Sequence, residues 1–206
     1  MSKINLTPNA NGTGVFTIAS PNSDTDRTLT LPDESGTILT TSSGVGIDGI
    51  TSNATGTAIT IDSSNRVTMA NQPAFHVYTD AILSSAVGIK VFNQETFNVG
   101  GHYDTSTGLF TAPVSGLYYF NAQLLDDFGT GYADYSLYLN GTSGTHICRM
   151  RTPGSADNVH VTSNMGSVVL MSANDTVGLY QESVGNGSIY GATDFKWSVF
   201  SGYLIG

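Results

Sequence analysis

The residues able to do chemistry are few and scattered along these 206 residues. Only three of the 16 acidic side chains are Glu: Glu34, Glu95 and Glu182. A glycoside-cleaving pair of carboxylates would therefore have to come from the Asp set. Asp126, Asp127 and Asp134 form the one local acidic cluster. Calcium prefers several oxygen ligands and is the cation such a cluster would take; the competing reading, and the preferred one, is a solvated loop. The histidines His76, His102, His146 and His160 lack metal-ligand spacing. Cys148 is the only cysteine, so no intrachain disulfide forms, and a lone thiol without a positioned base reads as a small apolar side chain. No Gly-Lys-Ser/Thr phosphate loop, paired-His zinc helix or nucleophile elbow is present. The expectation is a chain that is not an enzyme and needs no cofactor. Tyr132 and Tyr138 are the candidate ligand-facing rings, with Tyr190 a third aromatic able to stack on a sugar.

Charge narrows the partners. The chain has 3 Lys and 4 Arg against 16 acids, a formal net charge of −9. Phosphate recognition needs clustered cations that release counterions. With none here, nucleic acid is excluded as an expected partner, as is an anionic membrane surface. No run approaches the roughly 18 consecutive apolar residues of a membrane helix. Met1 to Pro8 holds one Lys and no apolar core, so the expected route is synthesis in a cytoplasm without a leader.

The elements that would hold these residues are strands. Charged residues make up 11% of the chain, Gly contributes 24 residues, and Ser, Thr and Asn supply most polarity. Short alternating runs end in turn residues throughout, which reads as all-β. Residues 1–72 carry one aromatic, Phe16, and short apolar groups at 15–18, 29–31, 38–39, 59–61 and 67–69. Such a thin segment cannot offset its chain entropy alone. It needs partners, most simply two further copies of itself. The texture changes at Asn71-Gln72-Pro73, where we place the boundary between a segment 1–72 and a domain 73–206. In the domain, Tyr118, Phe120, Ala122 and Leu124 share one strand face, Tyr135, Leu137 and Leu139 another, and Asn140-Gly141 marks a hairpin. Phe195, Trp197 and Val199 alternate before the C-terminus, and Trp197, Val199 and Tyr203 are expected near a common core. Eight to ten strands in about 130 residues suit a two-sheet sandwich.

One stretch is more specific: Asn98-Val99-Gly100-Gly101-His102-Tyr103-Asp104, then Gly108-Leu109-Phe110-Thr111-Ala112-Pro113, then Gly116-Leu117-Tyr118-Tyr119-Phe120. With Phe75 in the opening strand and Phe200, Gly202 and Tyr203 in the closing one, it resembles the signature of the C1q/TNF superfamily over residues 73–206. Asp104 to Gly108 reads as a turn with Gly108 left-handed, Pro113 as the end of a pairing, and Gly116 as a bend. The resemblance implies a jelly roll and a homotrimer packed through an apolar face around a three-fold axis. Some members bind calcium near that axis.

A second stretch, from Arg27-Thr28-Leu29-Thr30-Leu31-Pro32 to Thr40, resembles segments of bacteriophage tail-fibre and virion proteins, as does Ala58 to Met69. Together the two resemblances imply a trimeric virion appendage. Its leading segment would attach to a capsid or tail protein and its head would bind a host cell-surface glycan or protein. A capsid decoration protein without a receptor is the alternative.

Overall fold

The fold follows from period-two alternation in long strands. In Gly116–Phe128 the odd and even residues part company. Tyr118, Phe120, Ala122, Leu124 and Asp126 are buried, while Leu117 and Gln123 are exposed. One face of a strand built this way must be covered by another sheet.

In the computed structural model of the chain, the residues described are 58–128, 131–154, 160–183 and 187–206, with 10–15, 17, 19, 24–26 and 28 before them. The apolar groups expected as strands at 29–31 and 38–39 lie outside these residues. The chain divides into two compact units, Met1–Asn53 and Ala54–Gly206.

Fourteen strands are described: β1 Thr60–Ile61, β2 Val67–Thr68, β3 Ala74–Tyr78, β4 Gly88–Ile89, β5 Gln94–Val99, β6 Tyr103–Asp104, β7 Leu109–Thr111, β8 Gly116–Phe128, β9 Tyr132–Leu139, β10 Thr145–Pro153, β11 Val161–Met171, β12 Thr176–Gln181, β13 Gly187–Ile189 and β14 Val199–Leu204. One sheet runs β10-β9-β12-β7-β6, with β4 on β12; the other runs β11-β8-β14-β3-β5, with β13 on β8. All pairings are antiparallel. The last strand lies between β8 and β3, and β12 between β9 and β7. These crossovers between two facing sheets make a jelly-roll sandwich.

Between the sheets lies an aromatic core. The Phe75 ring stacks on Tyr103 at 5.0 Å and on Phe110 at 5.2 Å, and meets Phe200 edge-on at 5.1 Å. Gly202 is part of this packing. A β-carbon there would lie 2.5 Å from Phe120 Cδ1 and 2.8 Å from Phe75 Cε1.

Local rules hold at the turns. Gly108 has φ +77° and donates its N–H to the Asp104 carbonyl at 2.8 Å, while Asp104 Oδ1 accepts from the Ser106 N–H at 2.8 Å. Asn140 and Gly141 both have positive φ, as a primed turn demands, but the link from β9 to β10 spans residues 140–144. The chain bends at 113–115, just before Gly116, which opens β8 and is small because a β-carbon would lie 2.8 Å from Leu204 Cδ1 and 3.0 Å from the Gly206 carbonyl oxygen.

The C-terminal strand is a correction. It begins at Val199, so Phe195 and Trp197 precede it. Its inward residues are Phe200 and Gly202, while Tyr203 and Trp197 are 49% and 44% exposed. The expected common core of Trp197, Val199 and Tyr203 took the wrong parity, and an error of one residue turns every side chain of a strand to the opposite face. The apolar residues at 89–92 give only the short β4, Gly88–Ile89. Phe92 is nonetheless fully buried, its N–H bonded to the Tyr103 hydroxyl at 3.2 Å.

Ahead of the sandwich, β1 and β2 form a hairpin with Thr60 opposite Thr68 and Ile61 opposite Val67. Asp62 Oδ1 accepts from the N–H groups of Ser64 and Arg66 at the turn, and Asn65 takes φ 60°. Ile61 and Val67 are 67% and 61% exposed.

Candidate functional site

The signature residues are scaffold. Phe75, Tyr103, Phe110, Tyr118, Phe120 and Phe200 are buried together. Asn98 clamps the turn after β5: its amide oxygen accepts from the Tyr103 N–H at 3.2 Å and its amide nitrogen donates to the Tyr103 carbonyl at 2.8 Å. Gly100 has φ +81°, and a β-carbon there would run into the His102 ring. Pro113 follows β7, and the Tyr118 hydroxyl holds the next turn by donating to the Val114 carbonyl at 2.8 Å.

The two outer faces of the sandwich differ in chemistry. On the β9 sheet the outward residues are tied into a polar network. Asp134 accepts two bonds from Arg151, at 2.7 and 2.9 Å, and one from Arg149 at 2.9 Å. The Arg151 guanidinium, then that of Arg149, holds the Asp134 carboxyl below the usual carboxylate range against the opposing effect of burial. The Arg151 guanidinium also sits 4.1 Å from the centre of the Tyr132 ring. His146 bonds the Tyr138 hydroxyl and lies 3.3 Å from Glu182 Oε1. Tyr138, expected to face a ligand, is only 6% exposed, because the rings of His146 and Tyr180 cover it. Tyr132 is open to solvent.

The outer face of the β8 sheet is polar in the rows of Asn121, His76 and Gln123 and apolar toward the end of β14. Its register places Val168, Tyr119, Tyr203, Ala74 and Val99 in one row across five strands. One step along the strands, Leu170 lies opposite Leu117. Leu170 is 71% exposed, Val168 52% and Tyr203 49%. A contiguous apolar sheet face in water marks an interaction surface.

At the end of the sandwich away from the hairpin, the loop before β14 carries a second exposed group. The Trp197 ring lies 5.6 Å from Phe195 and 6.4 Å from Tyr190. Lys196 reaches over the Tyr78 ring at 5.2 Å. Sequence reasoning placed Trp197 in the core and missed this cluster. The signal lay in Asp194 and Lys196, charged residues interleaved with Phe195 and Trp197.

The acidic trio does not converge where its side chains are described. Asp134 is engaged by the two arginines. Asp126 points into the core, where Tyr135 donates its hydroxyl to Oδ1 and Ser163 donates to Oδ2 at 3.3 Å. Ser163 in turn accepts from the Thr152 hydroxyl at 2.8 Å. Burial pushes the Asp126 carboxyl up to about 6, opposed first by the Tyr135 bond. Near it in charge, buried Lys90 donates to the carbonyls of Ser84 and Ala86 at 2.7 and 2.6 Å. Burial brings its ammonium down to about 8, with Asp126 acting the other way. Among the described residues no group of three His, Cys, Asp or Glu is placed to hold a metal.

Comparison with known proteins agrees with this architecture. The complement C1q tumor necrosis factor-related protein 3 of Mus musculus is 30% identical over 115 residues, covering 56% of this chain and 44% of that protein. Its Homo sapiens counterpart is 29% identical over the same span. The chain thus spans less than half the length of these relatives. Among solved structures, the globular domain of zebrafish complement 1qA superposes with a TM-score of 0.52 at 20% identity, covering 66% of this chain and 98% of that one. Murine APRIL superposes at 0.53 with 12% identity, covering 65% and 99%. At those identities the likeness is one of fold. The family model described as the C1q domain matches residues 74–205, and the chain belongs to the C1q domain family.

Proposed function

We propose that this chain is a non-enzymatic subunit of a homotrimeric virion appendage. Three heads associate through the apolar face of the β8 sheet and present their far ends to a partner. The observation that carries assembly is the contrast between the two outer faces. One ties its charges into internal pairs; the other leaves Leu117, Val168, Leu170 and Tyr203 in contact with water. Fully burying each of the three aliphatic side chains among them is worth roughly 1.5–3 kcal/mol, which a closed cyclic assembly recovers three times over.

The partner-binding end is the exposed pair Phe195 and Trp197, with half-buried Tyr190 against Trp197 and Lys196 over the Tyr78 ring. Aromatic faces next to cations suit a glycan or a protein of the host surface. The virion setting rests on the likeness of residues 27–40 and 58–69 to phage fibre segments, which would attach the trimer to a capsid or tail protein. No bound cation belongs to the proposal, because protein donors already engage the oxygens of Asp126 and Asp134.

Sedimentation equilibrium at micromolar concentration tests the reading. The expected mass is three times the 21.6 kDa of the chain, unchanged by a chelator. A monomer there overturns it.

A further inference from the structure

The apolar face has a projection at one edge and a hollow at the other. Leu170 projects from β11, the edge strand of its sheet. At the opposite side, β3, β5 and the end of β14 border a hollow of about 510 Å³ lined by Met69, Ala70, Ala74, Val99, Tyr203 and Ile205. Two of these, Met69 and Ala70, precede the family match at 74–205. They are held over the sheet by the residues that follow the hairpin. Gln72 Nε2 donates to the Leu204 carbonyl at 2.6 Å, the Gln72 N–H to the Met69 carbonyl at 3.2 Å, and the Leu204 N–H to the Pro73 carbonyl at 3.0 Å.

Projection and hollow sit at one level along the strands. Leu170 pairs with Leu117, and the Ile205 N–H, beside the hollow, donates to the Leu117 carbonyl at 2.7 Å. A three-fold ring is built from heterologous contacts, in which one patch meets a different patch on the next copy. A projection and a hollow on opposite edges of one face, at equal height, meet that condition.

We infer that the strap at Met69–Gln72 completes a socket on each subunit that receives Leu170 of the next copy. This rests on the trimer proposed above and adds its contact. Residues outside the C1q match build one wall of the interface, so the strap just ahead of the domain takes part in closing the ring.

The test uses the full chain with Cys148→Ala as background. In the double variant Met69→Cys, Leu170→Cys, mild oxidation or a short bis-maleimide is expected to yield a covalent trimer on a denaturing gel, with each single variant unlinked. Leu170→Asp is expected to weaken association at least about tenfold, and Leu170→Met to preserve it. A double variant that sediments as a trimer yet stays unlinked overturns the socket, as does a Leu170→Cys single variant that links to itself. An unmodified chain that sediments as a monomer overturns the trimer instead, and the socket with it.

Discussion

Replacing Asp126 by Asn is expected to make the protein more stable at neutral pH. The carboxyl is fully buried and is pushed from an ordinary 3.8 up to about 6. Below 3.8 it is protonated whether the chain is folded or not. Between 3.8 and about 6 only the unfolded chain ionises it, so stability falls as pH rises through that window. Each pH unit of the window is worth about 1.4 kcal/mol, so the ionised group costs the fold about 3 kcal/mol at pH 7. Asparagine has the same shape and no charge. Its oxygen still accepts the Tyr135 hydroxyl, and its amide can donate to Ser163, whose hydroxyl already accepts from Thr152. Lys90 loses a favourable charge nearby, which returns part of the gain. The net expectation is roughly 1–3 kcal/mol at pH 7, with the gap about 1 kcal/mol smaller at pH 5. Urea unfolding followed by Trp197 fluorescence reads it, at one protein concentration because assembly adds to apparent stability. His76, held below its usual value first by burial and then by Lys196, is common to both proteins and drops out of the difference. A variant less stable than the parent at pH 7, with a gap unchanged at pH 5, refutes the reasoning.

Gly202→Ala inserts a methyl group 2.5 Å from Phe120 Cδ1 between two closed sheets; a loss of about 1–3 kcal/mol or more is expected in the same unfolding assay, and a loss under about 0.5 kcal/mol argues that the core yields. Trp197→Ala is expected to leave the sedimentation mass unchanged and to abolish retention on host cells or a glycan array, since the ring is 44% exposed and outside the strands. Undiminished retention moves the partner surface elsewhere on the head.

Local chemistry was legible in the residues alone. Alternation placed Tyr118, Phe120, Ala122 and Leu124 together in the core, and the Asp-to-Gly and Asn-Gly turns follow from which residues tolerate positive φ. These depend on neighbours in the chain. The Asn140-Gly141 hairpin requires a partner strand, but the residues of 145–153 do not announce it: Arg149 and Arg151 break the apolar pattern, and the acid that pairs with them lies on β9. The parity of the last strand was missed for a related reason. Phe195, Trp197, Val199 and Tyr203 make as good an apolar series as Phe200 and Gly202 do. Only the partner sheet selects between them, because the space beside Phe75 and Phe120 admits a glycine. Tyr138 and Asp126 likewise became buried through residues eight or more positions away. The sequence by itself determined an all-β sandwich, its turns and its family. Which face became the core, which stayed apolar in water, and where on that face a projection and a hollow lie were decided by tertiary structure, because burial is a property of two surfaces and a single strand carries only one.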